Sequence, residues 1–493
     1  MKSSVHKIIF ILIGFILPPM VLLLQACSSG NSDSNAVSHS LKDEDISRAV
    51  RTELMIAPNI SPDSLKINVV NGIVTLSGTT DNILTKKRAA KIAESVTGVL
   101  EVRNKIKVIK TVRNDADIKD DIITAIDNNP ATDAFQVSTK VDNGNVTLSG
   151  IVQSWQEKEL CGRIAETVKG VLDVVNNIKI NYTAFRSDED IMADILSRLK
   201  WDIYVNQQYI NVAVDNGNVT LSGTVASAAE REWAYDDAWV NGVKSVNDNN
   251  LKVIWWQNSL PATNRENIIL RDKEIQAALE QAYILDPEII SDRVHIKVNN
   301  GIVTLSGTVS NLQAKNAAEE DAKRTIGVFG IKNDLKVEPE TIPENVKIED
   351  GVSRAIKRNP YLDKLKIDVD VQNGVVYLTG DVNNSYEKDV AAKMASSVKG
   401  VTAVQNDITF REPEVETKDD SEIKANIKKQ LFWNPITNSQ KIHIKVKDGN
   451  ALLTGFVDTR LEKFEAGIEA IQGGASEVDN ELGVISGPQI VNQ

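Results

Sequence analysis

The sequence predicts an α+β fold of six tandem units, each a three-stranded sheet with two helices on one face. Three observations predict it: a nine-residue string (V-N-G-I-V-T-L-S-G in its first copy) occurs six times in recognisable form, a helical apolar pattern precedes each copy, and an alanine-rich segment follows it. Successive copies are 72, 73, 84, 73 and 75 residues apart. A fixed period of this size indicates one small unit copied along the chain. The first glycines of the copies are Gly72, Gly144, Gly217, Gly301, Gly374 and Gly449.

Each unit begins with an amphipathic helix. In unit one Ile46, Val50 and Leu54 stand at i, i+4 and i+8, which aligns them in one apolar stripe. Acidic or hydroxyl residues precede the stripe and suit a helix N-terminus. A proline such as Pro58 follows in five units and ends the helix, whereas unit three carries Ile203 there.

Two strands, a second helix and a third strand complete the order α-β-β-α-β. Residues 65–69 alternate between apolar and polar, as a half-buried strand does. Asn71-Gly72 predicts a tight hairpin, because both residues accept a positive φ. The second strand runs to Ser77-Gly78, and a helix over residues 82–97 follows. A glycine is expected before each third strand, at Gly98, Gly170, Gly242, Gly327, Gly400 and Gly473.

This order and these glycines resemble the BON domain, a module of bacterial envelope proteins. The N-G hairpin, the S/T-G pair after the second strand and the glycine before the third strand carry the resemblance. It is weakest in the last unit, where Asp448-Gly449 replaces N-G and Gly473-Gly474-Ala475 alters the third glycine position. The units are predicted at 45–113, 114–183, 187–256, 271–338, 346–411 and 419–486, with a linker at 257–270.

The N-terminal segment predicts export and a membrane anchor. Two lysines precede an apolar stretch at 8–24, and residues 24–27 (L-Q-A-C) resemble a bacterial lipobox. The resemblance implies a signal peptide over 1–27 and a lipidated, palmitate-carrying Cys27, followed by a flexible tether at 28–44. Serine rather than aspartate follows the cysteine, which by the same resemblance favours the periplasmic face of the outer membrane. A spanning helix is the alternative, but two prolines interrupt the stretch.

Charge is distributed unevenly along the chain. The net charge is −12, yet residues 45–113 contain 12 Lys/Arg against 6 Asp/Glu, a net of +6. The acidic remainder disfavours nucleic-acid binding, and unit one alone has the sign to meet an anionic membrane. No catalytic, metal-binding or phosphate-loop motif occurs in suitable context, so we expect no enzyme, cofactor or metal. Cys161 occupies a position that is alanine in the other units, which favours a small buried side chain.

A basic cluster on the second helix of unit one is the first candidate binding surface. Lysine and arginine near an anionic bilayer each contribute about 1 kcal/mol. The alternative is an ordinary solvated helix face. The cluster consists of Lys86, Lys87, Arg88 and Lys91, and it is followed by Arg103, Lys105, Lys107, Lys110 and Arg113.

Tryptophans form the second candidate, as anchors for a partner or a membrane interface. The alternative is that their rings pack units three and four together. Trp201 and Trp433 share the last position of the first helix, where the other units carry Ile56, Asn128, Leu285 and Arg358. The candidate anchors are Trp201, Trp233, Trp255, Trp256 and Trp433.

The leading functional expectation is a non-enzymatic, lipid-anchored periplasmic protein. The BON resemblance implies that its units bind phospholipid membrane surfaces and support envelope integrity or osmotic-stress tolerance, and the charge of unit one favours an anionic membrane as its partner. The alternative is a periplasmic scaffold that binds an envelope protein or peptidoglycan.

Overall fold

A computed structural model describes residues 41–132, 136–182, 185–256, 271–289, 291–341, 343–410, 418–457 and 459–484. The predicted lipidation site Cys27 and the linker at 257–270 lie outside the described residues. These described residues form one compact body. Six units with the order α-β-β-α-β confirm the predicted fold class.

The first helix of every unit is 14 residues long. Its apolar stripe faces the sheet, and in unit one Ile46, Val50 and Leu54 are at most 2% exposed. In the five units with a proline at this point, the helix ends before it, because proline lacks the N–H that would continue the helix. The six first helices are α1 (Asp43–Ile56), α3 (Asp115–Asn128), α5 (Asp188–Trp201), α7 (Asp272–Leu285), α9 (Asn345–Arg358) and α11 (Asp420–Trp433).

A hairpin of two antiparallel strands follows each first helix. The turn residues have positive φ, for example 51° at Asn71 and 74° at Gly72. The first strands are β1 (Leu65–Val70), β4 (Gln136–Asp142), β8 (Ile210–Asp215), β11 (Val294–Asn299), β15 (Lys366–Gln372) and β19 (Ile442–Lys447). The second strands are β2 (Ile73–Thr80), β5 (Asn145–Val152), β9 (Asn218–Val225), β12 (Ile302–Val309), β16 (Val375–Val382) and β20 (Asn450–Val457).

The second helix begins at a capping side chain that the sequence analysis did not single out. In unit one Asn82 Oδ1 accepts a hydrogen bond of 2.8 Å from Thr85 N, which satisfies a helix-terminal donor. An Asn, Ser or Thr does the same in all six units. These helices are α2 (Ile83–Glu94), α4 (Trp155–Glu166), α6 (Ala228–Asp237), α8 (Leu312–Arg324), α10 (Ser385–Ser396) and α12 (Arg460–Gln472).

The third strand lies parallel to the second, which is therefore central in each sheet. In units one and three it is continuous, as β3 (Glu101–Val108) and β10 (Ser245–Val253). In the other units a break divides it in two. These pairs are β6 (Asp173–Asn176) with β7 (Lys179–Ile180), β13 (Gly330–Asn333) with β14 (Lys336–Val337), β17 (Ala403–Asn406) with β18 (Thr409–Phe410), and β21 (Glu477–Asn480) with β22 (Gly483–Val484).

The first residue of the first helix holds the hairpin turn. In unit one the Asp43 carboxylate accepts hydrogen bonds from Asn71 N at 2.8 Å and Gly72 N at 2.9 Å. Charged acceptors of this kind make stronger bonds than neutral ones. The same pair of bonds occurs in units two, three, four and six, whereas unit five has Asn345 at this position.

One glycine assignment from the sequence is wrong by one residue. In unit six the left-handed position before the third strand is Gly474, with φ of 106°, like Gly98 with φ of 86° in unit one. Gly473 instead ends α12, with φ of −67°, and its N–H donates to Glu469 O. Gly473 therefore belongs to the end of the second helix, and Gly474 takes the place of the single glycine that precedes the third strand in the other units.

The units pair as one with six, two with five and three with four. In each pair a backbone N–H just before the third-strand glycine donates to the carbonyl that ends the other unit's first helix. These hydrogen bonds are Thr97 N to Trp433 O (2.8 Å), Lys169 N to Arg358 O (2.7 Å), Lys399 N to Asn128 O (3.0 Å) and Ile326 N to Trp201 O (2.9 Å). Distant units therefore meet, and the array doubles back on itself.

The pairing of units three and four explains why unit three lacks the helix-ending proline. The N–H of Ile203 donates to Arg324 O in unit four at 2.8 Å, and a proline could not donate. The Asp202 carboxylate also binds the Arg324 guanidinium at 2.6 Å. An inter-unit contact thus occupies the position where the other units use proline.

Candidate functional site on unit one

The solvent-facing side of the unit-one sheet carries four cations. Along β1 and β3 the side chains alternate between the core and solvent, so that residues two apart share a face. Lys66 on β1 and Arg103, Lys105 and Lys107 on β3 are all exposed on this side. We call these four residues the basic sheet face.

The strand register brings these cations close together. Lys66 lies opposite Ser77 of β2, and Ser77 lies opposite Lys105 of β3. Neighbouring strands are about 4.8 Å apart, so the two lysines stand roughly 10 Å from each other across a hydroxyl side chain. Arg103 donates to Glu101 at 2.8 Å, and this hydrogen bond lowers the pKa of the Glu101 carboxyl. The face retains a net positive charge after this pairing.

Sequence reasoning found three members of this face and missed Lys66. Arg103, Lys105 and Lys107 belong to the basic run after the helix cluster. Lys66 alternates with the half-buried Ile67, and that pattern was the signal that it faces outward. Lys110 and Arg113, which complete the run, instead contact unit two: Lys110 donates to Asn143 at 2.9 Å, and Arg113 donates to Lys169 O at 2.7 Å.

The helix cluster lies at junctions between units. Lys87 pairs with Glu166 of unit two at 2.5 Å, and Lys91 lies 3.9 Å from Glu232 of unit three. Neighbouring carboxylates therefore offset part of the positive charge of this helix. The membrane-binding role of the cluster stays a prediction.

The other two cluster residues are half-buried. Arg88 donates to Pro58 O at 2.5 Å, and its guanidinium lies 3.9 Å from the ring centre of Tyr386 in unit five. Lys86 precedes it on the same helix. Arg88 thus ties unit one to unit five, as a cation over an aromatic ring does.

Trp201 and Trp433 pack against the cores of other units. Trp201 of unit three contacts the core of unit four, and Trp433 of unit six contacts the core of unit one. The sequence left open that tryptophan rings pack units three and four together. The structure shows such packing between units three and four and also between units six and one. Leu285, at the same helix-end position in unit four, likewise packs on the core of unit three. Anchoring to a membrane or a further partner stays a prediction for both tryptophans.

The remaining aromatic residues lie in and around unit three. Trp233 contacts Tyr204, with ring centres 4.7 Å apart. Trp255 and Trp256 meet edge to face at 5.7 Å and are half-buried. Trp155 of unit two had no assigned role from the sequence. It stacks on Trp239 of unit three, with ring centres 5.4 Å apart, so it joins these two units.

Carboxylates with raised pKa values mark two junctions of unit one. Burial, together with a hydrogen bond and the charge of Glu232 in unit three, raises the pKa of Glu94 to about 8. Burial and the nearby Glu469 of unit six raise the pKa of Glu53 to about 7. Both groups hold protons at neutral pH more readily than a solvated glutamate.

The described residues offer little reactive chemistry. Among them, no group of three or more His, Cys, Asp and Glu side chains is arranged to hold a metal ion. Cys161 is fully buried, as predicted, and burial raises the pKa of its thiol to about 12. No helix in the described ranges is long and apolar enough to cross a membrane.

Comparisons with known proteins place these units in a family. The model for the BON domain matches residues 42–110, 114–182, 187–254, 271–339, 345–412 and 419–486. Osmotically-inducible protein Y of Escherichia coli is 35% identical over 133 residues, which are 26% of this chain and 64% of that protein. Outer membrane lipoprotein DolP of Haemophilus influenzae is 30% identical over 138 residues, covering 27% of this chain and 71% of that protein.

A third relative is the 21 kDa hemolysin of Actinobacillus pleuropneumoniae, 27% identical over 122 residues, which are 24% of this chain and 62% of that protein. Each of these matches therefore covers about a quarter of this chain and about two thirds of the relative. The first of these relatives is named for its osmotic induction, and the second is named as an outer-membrane lipoprotein. Because the family model matches most of the sequence in six consecutive copies, this chain belongs to the BON domain family.

Proposed function

We propose that this protein is a non-enzymatic envelope protein that binds anionic phospholipid surfaces through the basic sheet face of unit one. The observation that carries the proposal is the row of exposed cations on β1 and β3. Hydroxyl side chains of β2 lie between them and suit a surface of phosphate oxygens. The relatives named for osmotic induction and for an outer-membrane lipoprotein support an envelope role.

The size of the electrostatic term supports a role for a second membrane contact. Four basic side chains near an anionic surface contribute about 4 kcal/mol before salt screening, and Glu101 offsets part of this. Stable membrane attachment generally needs two signals, such as a lipid chain and a basic patch. Under the proposal Cys27 carries the lipid and unit one supplies the basic patch.

The helix cluster is also positively charged, but its side chains are less accessible to a membrane surface. Lys87 and Lys91 face carboxylates of other units, and Arg88 is half-buried against Tyr386. Releasing these contacts would cost the packing of unit one on units two, three and five. The sheet face needs no such rearrangement, because its side chains already point into solvent.

The test is vesicle flotation of the chain from Leu41 onward, which omits the anchor and forms one compact body. The variant carries Lys66→Glu, Lys105→Glu and Lys107→Glu. We expect the wild type to float with anionic vesicles at low salt and not with neutral ones. Salt weakens exposed charge interactions, because the screening length is about 10 Å at 0.1 M. The triple variant is expected to stay in the unbound fraction.

A matched control makes the same charge change on unit four. Lys297, Lys332 and Lys336 are exposed on the corresponding sheet face, and changing them to Glu alters net charge equally. This control is expected to float nearly as well as the wild type. If both triple variants lose binding equally, net charge rather than unit one governs attraction. Unchanged flotation of the unit-one variant would contradict the proposal.

A further inference from the structure

A cavity lies where units two, three, four and five meet. Its volume is about 1120 Å³, similar to the upper end of ordinary ligand pockets at about 1,000 Å³. Apolar side chains such as Leu160, Leu312 and Met394 line part of it. Polar and charged side chains line the rest, so the cavity can hold a ligand that has both an apolar and a charged part.

Arg358 lines this cavity from the end of α9. The residue is only 8% exposed, and its buried Nε donates no hydrogen bond to any residue that the structure describes. Described ion pairs do not include it either. A buried N–H without an acceptor is unfavourable, because it loses water without gaining a partner. Burial accordingly lowers the pKa of Arg358 to about 10.

The same helix-end position is apolar in most other units. Trp201, Leu285 and Trp433 occupy it in units three, four and six, and each packs on another unit's core. An apolar residue therefore satisfies the packing need at this position. The presence of arginine at this position in unit five needs a different explanation. Binding of an anion in the adjoining cavity provides one.

Carboxylates such as Asp321 and Asp389 also line the cavity, and its arginines differ in whether they are paired. On the side of units three and four, Asp237 pairs with Arg198 at 3.1 Å, and Arg324, also in the cavity wall, pairs with Asp202 at 2.6 Å. Those guanidinium groups already have carboxylate partners. Arg358 makes no ion pair among the described residues, and the nearby Asp121 carboxylate is bonded to Arg113 instead.

Potential hydrogen-bond donors also line the cavity. Lys393 and Ser397 of unit five, and Asn129 and Thr167 of unit two, belong to its wall. The Lys393 ammonium and the second hydrogen of the Asn129 amide can donate to a ligand oxygen, whereas the Thr167 and Ser397 hydroxyls already donate to Ile164 O and Met394 O. Arg358 presents a planar set of donors that matches two oxygens of a phosphate group at once.

We propose that the cavity where units two, three, four and five meet binds a phosphate group through Arg358. The phosphate belongs either to a small soluble phosphate compound or to a lipid headgroup whose apolar part contacts the cavity's apolar side chains. This site is separate from the basic sheet face, so it does not depend on the proposed membrane-surface role.

The test measures thermal stability and calorimetric binding of the full chain. The probes are inorganic phosphate, glycerol 3-phosphate and monomeric short-chain phosphatidylglycerol. We expect at least one probe to stabilise the wild type, as any ligand that binds the folded state does. Binding by inorganic phosphate would indicate a soluble ligand, and binding by the lipid alone would indicate a headgroup with its chains.

Two variants separate a binding role from a structural one. Arg358→Met keeps most of the side-chain volume, and its affinity for the active probe is expected to fall about tenfold to hundredfold, the loss of one charge-assisted contact. Arg354→Met is the matched control, since Arg354 is one turn earlier, more exposed and paired with Asp350 at 2.8 Å. The control is expected to bind the probe like the wild type.

The outcomes that overturn the proposal are specific. No shift of the wild type with any probe would contradict it, as would equal affinities of the Arg358→Met variant and the wild type. A purely structural arginine would also make Arg358→Met less stable without any probe. We expect the opposite, an unliganded variant at least as stable as the wild type, because an unpaired buried charge has been removed.

Discussion

The solvent-facing sides of the sheets in units one and five have the same architecture and opposite charge. In unit one Lys66, Arg103, Lys105 and Lys107 are exposed on strands β1 and β3. At the corresponding positions unit five has Asp368, Gln405, Asp407 and Thr409, which are also exposed. The strands pair in the same order, antiparallel and then parallel.

The comparison shows that the choice of residue is constrained differently at exposed and at buried positions. Val74 and Leu76 of unit one and Val376 and Leu378 of unit five are all 0% exposed and chemically matched. The core therefore requires the same apolar side chains in both units. The outer face makes no comparable demand, so its charge can change without altering the fold. A BON unit thus provides a scaffold on which the exposed residues decide what is bound.

The largest expected effect comes from moving the basic face to unit five. In the Lys66→Glu, Lys105→Glu, Lys107→Glu background, we would add Asp368→Lys, Gln405→Arg and Asp407→Lys. Three cations contribute about 3 kcal/mol near an anionic surface, or roughly a hundredfold in binding. Flotation with anionic vesicles is therefore expected to recover. A failure to recover, in a variant that is folded by circular dichroism, would show that the position of unit one matters as well as its charge.

The second effect concerns the hairpin turns of the two units. Asp43 accepts two backbone hydrogen bonds in unit one, whereas Asn345 of unit five has a single carboxamide oxygen in place of a carboxylate. We expect Asp43→Asn to destabilise unit one by about 1–3 kcal/mol, the usual value of a hydrogen bond to a charged group. Asn345→Asp is expected to stabilise unit five. Hydrogen exchange of the Gly72 and Gly374 amides measures both changes.

Asp63→Asn serves as the control for the turn experiment, because Asp63 is exposed in a short helical turn before β1. Its substitution is expected to leave amide exchange in the hairpin unchanged. Equal protection of the Gly72 amide in the Asp43→Asn variant and the wild type would mean that the carboxylate charge does not stabilise the turn.

The sequence predicts the interior of each unit well, because the signals are local. The spacing of Ile46, Val50 and Leu54 identifies the buried helix face, and the alternation of residues 65–69 identifies the strand. Asn71-Gly72 identifies the hairpin through its need for positive φ. The error at Gly473 arose where two adjacent glycines made the register ambiguous.

Contacts between units leave no comparable local signal. Thr97 and Trp433 meet although four units lie between theirs in the order of the chain, and no periodic pattern encodes such pairing. Lys87 and Lys91 look like a free basic patch in the sequence, because their partners Glu166 and Glu232 belong to other units. Surface charge can be counted from a sequence, but its neutralisation depends on the assembled structure.

The third prediction compares how unit one joins units three and five. The junction with unit three includes the Glu94–Glu232 pair, whereas that with unit five includes a neutral hydrogen bond of 3.2 Å between Thr85 and Tyr361. Because the folded-state pKa of Glu94 is raised, its proton is retained in the folded chain and lost in the unfolded one between about pH 8 and 4.5. Stability is therefore expected to rise as pH falls through this range.

The Glu232→Gln variant isolates that contribution. The amide removes one negative charge at every pH, so the raised pKa of Glu94 should fall and the pH dependence should become shallower. We expect a difference of about 1 kcal/mol, because water screens this partly exposed pair. Denaturant unfolding at pH 5.5 and 8 measures it, and Thr85→Val is the control with no titratable group. Parallel curves for Glu232→Gln and the wild type would refute the assignment.

The smallest expected effect is at the position that is Cys161 in unit two and Ala391 in unit five. Both residues are 0% exposed, and alanine occupies the position in every other unit, so the backbone accommodates the smaller side chain. We expect Cys161→Ala to cost less than about 1 kcal/mol, because only one buried atom is lost. The buried thiol, with its pKa near 12, should also resist alkylation until the chain unfolds. Denaturant unfolding and thiol labelling measure the two effects, and rapid labelling of the folded chain would show that unit two opens around Cys161.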